Sequence, residues 1–242
     1  MGNIKETILK HQFLFSKVVA FNPTHESIVQ MDFSLENGQL TKELISDTEQ
    51  FSQHVNSELQ KHNAILGIGG YLEQRSLYQR SKIFGNTISK NSINGDLQIE
   101  EPRTLHLGID IWGNAGTPVF APLDGVVHSF AFNDNFGDYG ATIILQHQLD
   151  DCIFQTLYGH LGLADLQHIN RGMSVEKGQL IAHFGQPLEN GNWPPHLHFQ
   201  IIIDMQMKEG DYPGVCKLSE QHYYAQNCPD PDIILQMMHF VK

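Results

Sequence analysis

The stretch WPPHLHFQII, residues 193–202, decides how the second half of the chain is read. In a strand, side chains two apart share a face. Leu197, Phe199 and Ile201 then occupy one face, and His196 and His198 the other. Both imidazoles point into the same space. An H-x-H in a strand is also common surface decoration, so the pair alone decides the local geometry and not yet a function.

The same two-residue period extends through TPVFAPLDGVVHSF (from Thr117), ATIILQH, FQTLYGH and QLIAHFG. These runs are short, rich in β-branched and aromatic residues, and separated by Gly, Pro, Asn and Asp. They predict a mainly β fold from Arg103 onward, an antiparallel sheet or β-sandwich-like core. PLDGVV carries a D-G hairpin signal at Gly125, and RGMSVEKGQLIAHFG has the same turn-then-strand character around Gly172 and Gly178. The first part reads differently. TKELISDTEQFSQHVNSELQKHNAIL, from Thr41, sets Leu44, Phe51, Val55, Leu59 and Ile65 at helical spacing, and YLEQRSLYQRSKIF after Gly69-Gly70 also reads as helical. The polar GNTISKNSINGD, from Gly85, marks the seam. The expected division is a helical amino-terminal segment over 1–95 packing on the core, a β domain over 96–215, and a carboxy-terminal extension over 216–242 whose IILQMMHF closes as a helix.

Composition removes several partners. With 40% hydrophobic and 17% charged residues, the 242-residue chain is globular rather than disordered. A formal net charge of -12 and no basic tract argue against nucleic acid. No stretch approaches the ~20 apolar residues of a membrane span. MGNIKETILKHQFLFSKVVAF is interrupted by Ser16 and Lys17, so it reads as the start of the fold rather than as a signal peptide. Glu6 stands where a myristoylation pattern after Gly2 wants Ser or Thr. The expected setting is cytoplasmic, with export open if a signal peptide has been removed. Cys152, Cys216 and Cys228 lack C-x-x-C spacing and read as reduced thiols.

HLGIDIW, from His106, repeats the arrangement of the opening stretch. If extended, it sets His106, Gly108 and Asp110 on one face and Leu107, Ile109 and Ile111 on the other. A helix would also stack His106 over Asp110, but Gly108 and the β-branched neighbours favour strand. Imidazole and carboxylate suit Zn2+, and two histidines plus one aspartate with a fourth position left to water make a catalytic set. His106, Asp110 and one histidine of HLH meet that need. The leftover histidine and His160 of YGH are then unligated imidazoles suited to proton transfer, although a histidine at a strand end needs no such role.

HLGID, YGH and HLHFQ in this order, with GTPVFAPLDGVV and GMSVEKGQLIAHFG, resemble the M23 family of zinc metallopeptidases, the lysostaphin-type or LytM-like endopeptidases that cut peptide cross-links of peptidoglycan. The resemblance covers roughly residues 102–204. It implies an M23-like zinc peptidase domain over 96–215, with His106, Asp110 and His198 holding one Zn2+ per chain and His160 and His196 catalytic. IGGYLEQR, and WPPHLHFQ followed by GDYPGVC, resemble a branch fused to aminotransferase or kinase domains. That bears on the substrate, a peptide or muropeptide-like molecule, rather than on fold or metal. A zinc-stabilised peptide-binding module without hydrolysis, and an amidase of small metabolites, stay open. A lipoyl-like carrier lacks a convincing motif around Lys177. Arg75 and Arg80 could pair with a substrate carboxylate or neutralise neighbouring acids, while Tyr71 and Tyr78 could line the cleft or simply pack. Asp124, Asp134 and Asp138 read as turn residues. The acceptors for the ligands' second nitrogens, and the oligomeric state, are not legible.

Overall fold

The computed structural model describes residues 4–85, 88–90 and 97–241; Gly2 and most of the expected seam at 85–96 lie outside the described residues. The strands are β1 (Ile28–Gln30), β2 (Leu66–Gly69), β3 (Ile88–Lys90), β4 (Leu97–Ile99), β5 (Arg103–His106), β6 (Ile109–Trp112), β7 (Pro118–Phe120), β8 (Gly125–Asn133), β9 (Gly140–Leu149), β10 (Cys152–Leu161), β11 (Ser174–Val175), β12 (Leu180–His183), β13 (His196–Ile202) and β14 (Val215–Lys217). Eight of them form one sheet in the order β1-β2-β6-β13-β10-β9-β8-β11. All its pairings are antiparallel except β1 with β2. The mainly β, antiparallel-dominated fold is the one the sequence predicts.

Period-two patterning explains the layers. Ile109 and Ile111 of β6, Leu197, Phe199 and Ile201 of β13, and Tyr158 of β10 share one apolar cluster, which Val119, Ile181 and Ala182 of the small β7–β12 sheet cover. The alternate residues, Asp110, His196 and His198, lie on the opposite face. The register sets His198 against Asp110 on one side and Gly159 on the other. Burying Leu197, Phe199 and Ile201 fully stabilises β13 by about 2 kcal/mol each, and that burial fixes which way its histidines point.

The helices are α1 (Ile4–Lys10), α2 (Lys42–Ser46), α3 (Thr48–Lys61), α4 (Gln221–Asn227) and α5 (Asp232–Leu235). Several expectations are corrected. The single helix from Thr41 is two: Thr41 caps α2, and Asp47 interrupts it by accepting from the amides of Glu49 and Gln50 to start α3. Phe51, Val55 and Leu59 are buried as the spacing predicts, but Ile65 lies past the helix and is exposed. YLEQRSLYQRSKIF is not a helix; its Leu72 and Arg75 amides bond to His106 and Thr104 carbonyls, leaving short 3-10 turns at Leu77–Arg80 and Lys82–Phe84. PLDGVV is not a hairpin, because β7 pairs with β12 while β8 pairs with β9 and β11. IILQMMHF yields only α5 and a 3-10 turn, separated by Gln236 at φ 50. The amino-terminal segment also contributes strands: β2 pairs with β6, and β1 with β2. β14 runs across the expected 215/216 boundary. None of the three cysteines is in a disulfide, and Cys216 and Cys228 are buried.

Candidate metal centre

HLGID is not one continuous strand. His106 ends β5, which pairs with β14, and Asp110 sits in β6 of the large sheet, with Leu107 and Gly108 between. The turn nevertheless returns the two side chains to each other, His106 Nε2 lying 3.3 Å from Asp110 Oδ1. Gly108 is required there, since a β-carbon would sit 2.5 Å from the His198 ring. His198, from the neighbouring strand, places Nδ1 at 3.2 Å from Asp110 Oδ1 and 2.9 Å from His106 Nε2. All three residues are buried, and their three nearest ligand atoms lie within 4.8 Å of one another.

The outer hydrogen bonds fix what those atoms are. His106 Nδ1 is 2.8 Å from the Gly70 carbonyl, which can only accept, so Nδ1 carries the proton and Nε2 a lone pair. Gln200 donates its amide to Pro213 O and toward Cys228 Sγ, leaving Oε1 to accept from His198 Nε2 at 2.9 Å. His198 Nδ1 is therefore also a lone pair. Burial, with the Arg75 guanidinium nearby, pushes His106 down to about 3, so a proton does not bridge the two rings at neutral pH. Burial alone would raise Asp110, but the Arg75 guanidinium bonded to it keeps its carboxyl below the usual range. Two imidazole lone pairs and a carboxylate oxygen converge without a donor between them. A cation is the group that such a donor set fits.

His196 and His160 flank this trio. His196 stacks on Trp112 with ring centres 4.0 Å apart, and His160 lies 4.1 Å from the His196 ring. Each gives Nδ1–H to a carbonyl, His196 to Pro194 at 2.7 Å and His160 to Asn190 at 2.8 Å, which leaves each Nε2 an acceptor. Burial lowers His196 to about 4 and, with His196 beside it, lowers His160 well below its ordinary value, so both are neutral. His160 reaches this face through a bulge. Tyr158 and Leu161 both face the apolar cluster, and Gly159 and His160 together occupy the step between them, with His160 at φ 64.

All five predicted residues line one cleft of about 250 Å3, along with Tyr78, Tyr139 and Trp193. Sequence reasoning missed Gln200, which parity could have placed beside His198, and the Gly70 carbonyl, which has no side-chain signature. Arg75 is not free for a substrate. It is buried, with Nη1 2.5 Å from Asp110 Oδ2 and Nε 2.5 Å from Glu73 Oε2. Arg80 bonds Thr48 and lies 4.6 Å from the Trp193 ring centre.

The profile described as Peptidase family M23 matches residues 104–209, a span holding all five histidine and aspartate positions. Residues 104–209 are a peptidase M23 domain. An uncharacterized metalloprotease of Haemophilus influenzae is 35% identical over 100 residues, 41% of this chain and 19% of that protein. The match thus spans about a fifth of the curated relative's length. Among solved structures, a zinc-containing peptidase from Vibrio cholerae is 27% identical with a TM-score of 0.33, over 48% of this chain and 31% of that one. The catalytic domain of the antimicrobial peptidase lysostaphin from Staphylococcus simulans is 20% identical with a TM-score of 0.35, over 72% of this chain and 96% of that one. No helix among the described residues is long and apolar enough to cross a membrane.

Proposed function

We propose that the M23 domain is a zinc-dependent endopeptidase that hydrolyses a peptide amide, with one Zn2+ per chain held by His106, Asp110 and His198. The supporting observation is the convergence of the Asp110 carboxylate with two imidazole lone pairs, those of His106 and His198, whose tautomers are set by Gly70 and Gln200. When bound, zinc supplies Lewis acidity toward a carbonyl oxygen and toward water. The chain's own residues supply the proton traffic. His196 and His160, neutral and each with a lone pair at Nε2, can take a proton from water and return it to the leaving amine. Trp112 keeps the His196 ring in one plane, and the Pro194 and Asn190 carbonyls keep both tautomers fixed.

In this reading residues 96–215 are the peptidase domain, with 1–95 and 216–242 packed on it, and the setting is cytoplasmic. The substrate is a soluble peptide or muropeptide-like amide rather than mature wall alone, because a net charge of -12 gives no long-range attraction to an anionic wall polymer. The test offers equal molar amounts of soluble muropeptides, wall-free peptides and insoluble sacculi to the zinc-loaded protein, with products read by mass spectrometry. Cleavage of soluble substrates is expected. Products from sacculi alone would restore a wall hydrolase, and binding without products at full metal occupancy would favour the peptide-binding module.

A further inference from the structure

The matched domain begins at residue 104, yet two groups bonded to its ligand trio come from residues before it. Gly70 supplies the carbonyl that sets the His106 tautomer. Arg75 reaches Asp110 from the same segment, which is held in place by backbone bonds to β5: Leu72 N to His106 O, Arg75 N to Thr104 O, and His106 N to Glu73 O. The Arg75 side chain is 1% exposed, and each of its three nitrogens has an acceptor. Nη1 donates to Asp110 Oδ2, Nε to Glu73 Oε2, and Nη2 lies 3.4 Å from Gly69 O. Glu73 is tied in turn, its Oε1 accepting from the Phe33 amide at 3.2 Å. Gly70 makes room for this. Its φ is +104, and a β-carbon there would fall 1.8 Å from Arg75 Nη2.

A carboxylate has two equivalent oxygens and rotates readily about its last bond. At Asp110 they are not equivalent. Oδ2 is taken by Arg75, and Oδ1 faces the lone pairs of His106 and His198. A planar guanidinium with separate donors on Nε and Nη1 can hold two carboxylates at fixed directions, which a single ammonium cannot. Arg75, Glu73 and Asp110 together leave one net negative charge in a buried place, which a cation among the ligands offsets.

We propose that Arg75 is a positioning residue of the metal site. It holds Oδ2 of Asp110 so that Oδ1 is presented to the metal, and Glu73 keeps the guanidinium in that pose. The site is thus built jointly by the M23 domain and the segment 69–75. This inference rests on the metal reading above, and none of these residues needs to touch the substrate.

The test uses the full chain stripped of metal, as wild type, Arg75→Lys and the charge-matched double variant Glu73→Gln/Arg75→Met. Each is titrated with Zn2+ against a chromophoric chelator, and with Co2+ while its visible ligand-field bands are recorded. Circular dichroism and the thermal midpoint of the metal-free forms serve as fold controls. Zn2+ binding is expected to weaken by ~10- to 100-fold in the double variant, with Arg75→Lys recovering part of that loss and both variants altering the Co2+ bands. Unchanged Zn2+ affinity and Co2+ bands in folded variants would overturn the inference while leaving the zinc reading standing. Failure of both variants to fold would also overturn it, making Arg75 a structural residue only. A wild-type chain that binds no metal would overturn the zinc reading and this inference with it.

Discussion

His196 and His198 share one face of β13, but their rings are committed in opposite senses. His198 turns Nδ1 toward Asp110 and gives its other nitrogen to Gln200; His196 gives Nδ1 to Pro194 and keeps Nε2 4.0 Å from Asp110 Oδ1. His106→Ala and His198→Ala are therefore expected to lose most of the bound metal. His196→Ala should keep the metal and lower turnover ~10²- to 10⁴-fold. Elemental analysis beside a turnover assay checks both, and normal turnover in His196→Ala would reverse the two assignments. These residues were legible because ligand chemistry is written in side-chain type and spacing. Their partners were less so. A backbone carbonyl such as that of Gly70 is invisible to composition, and Arg75 was visible as an arginine but not as the partner of an aspartate 35 positions away.

At the scale of the strand, the bulge in β10 decides whether His160 takes part. Regular alternation would return His160 to the apolar face with Tyr158; the extra residue turns it to the face of His196 instead. The cost is a left-handed backbone at a non-glycine residue, about 1–2 kcal/mol. His160→Gly should therefore be more stable than His160→Ala by about 1 kcal/mol, with both variants losing activity alike. Equal thermal stability of the two would mean that the bulge carries no such strain. The sequence announced a strand ending in YGH but not the bulge, because a period-two argument has no place for an added residue. It failed likewise at YLEQRSLYQR, where local helical spacing yielded to backbone pairing with β5. Where the β-branched and aromatic runs were long, as in β9, β10 and β13, it succeeded.

Across the whole molecule, buried neutral histidines link stability to pH. His147 joins the Asp124 corner to Thr156 of β10, and burial pushes it from an ordinary 6.5 down to about 4. Between those values the unfolded chain binds a proton that the folded one refuses. Its contribution is thus complete above pH 6.5 and falls as pH drops toward 4, by up to about 3 kcal/mol. Thermal midpoints of metal-free protein should fall from pH 7.5 to 5, and His147→Gln should shallow that slope by about 1.4 kcal/mol per pH unit. An unchanged slope would mean that His147 accepts its proton within the fold. Residues 12 and 28 also meet the segment 233–241. Ile28 bridges Val241, Gln12 Nε2 bonds Ile233 O, and Gln236 Nε2 bonds Gln12 O. A loosely held segment ordinarily frays on its own at almost no cost. Here neither segment can peel away without breaking its hold on the other, so the two open together, as one latch rather than two loose threads.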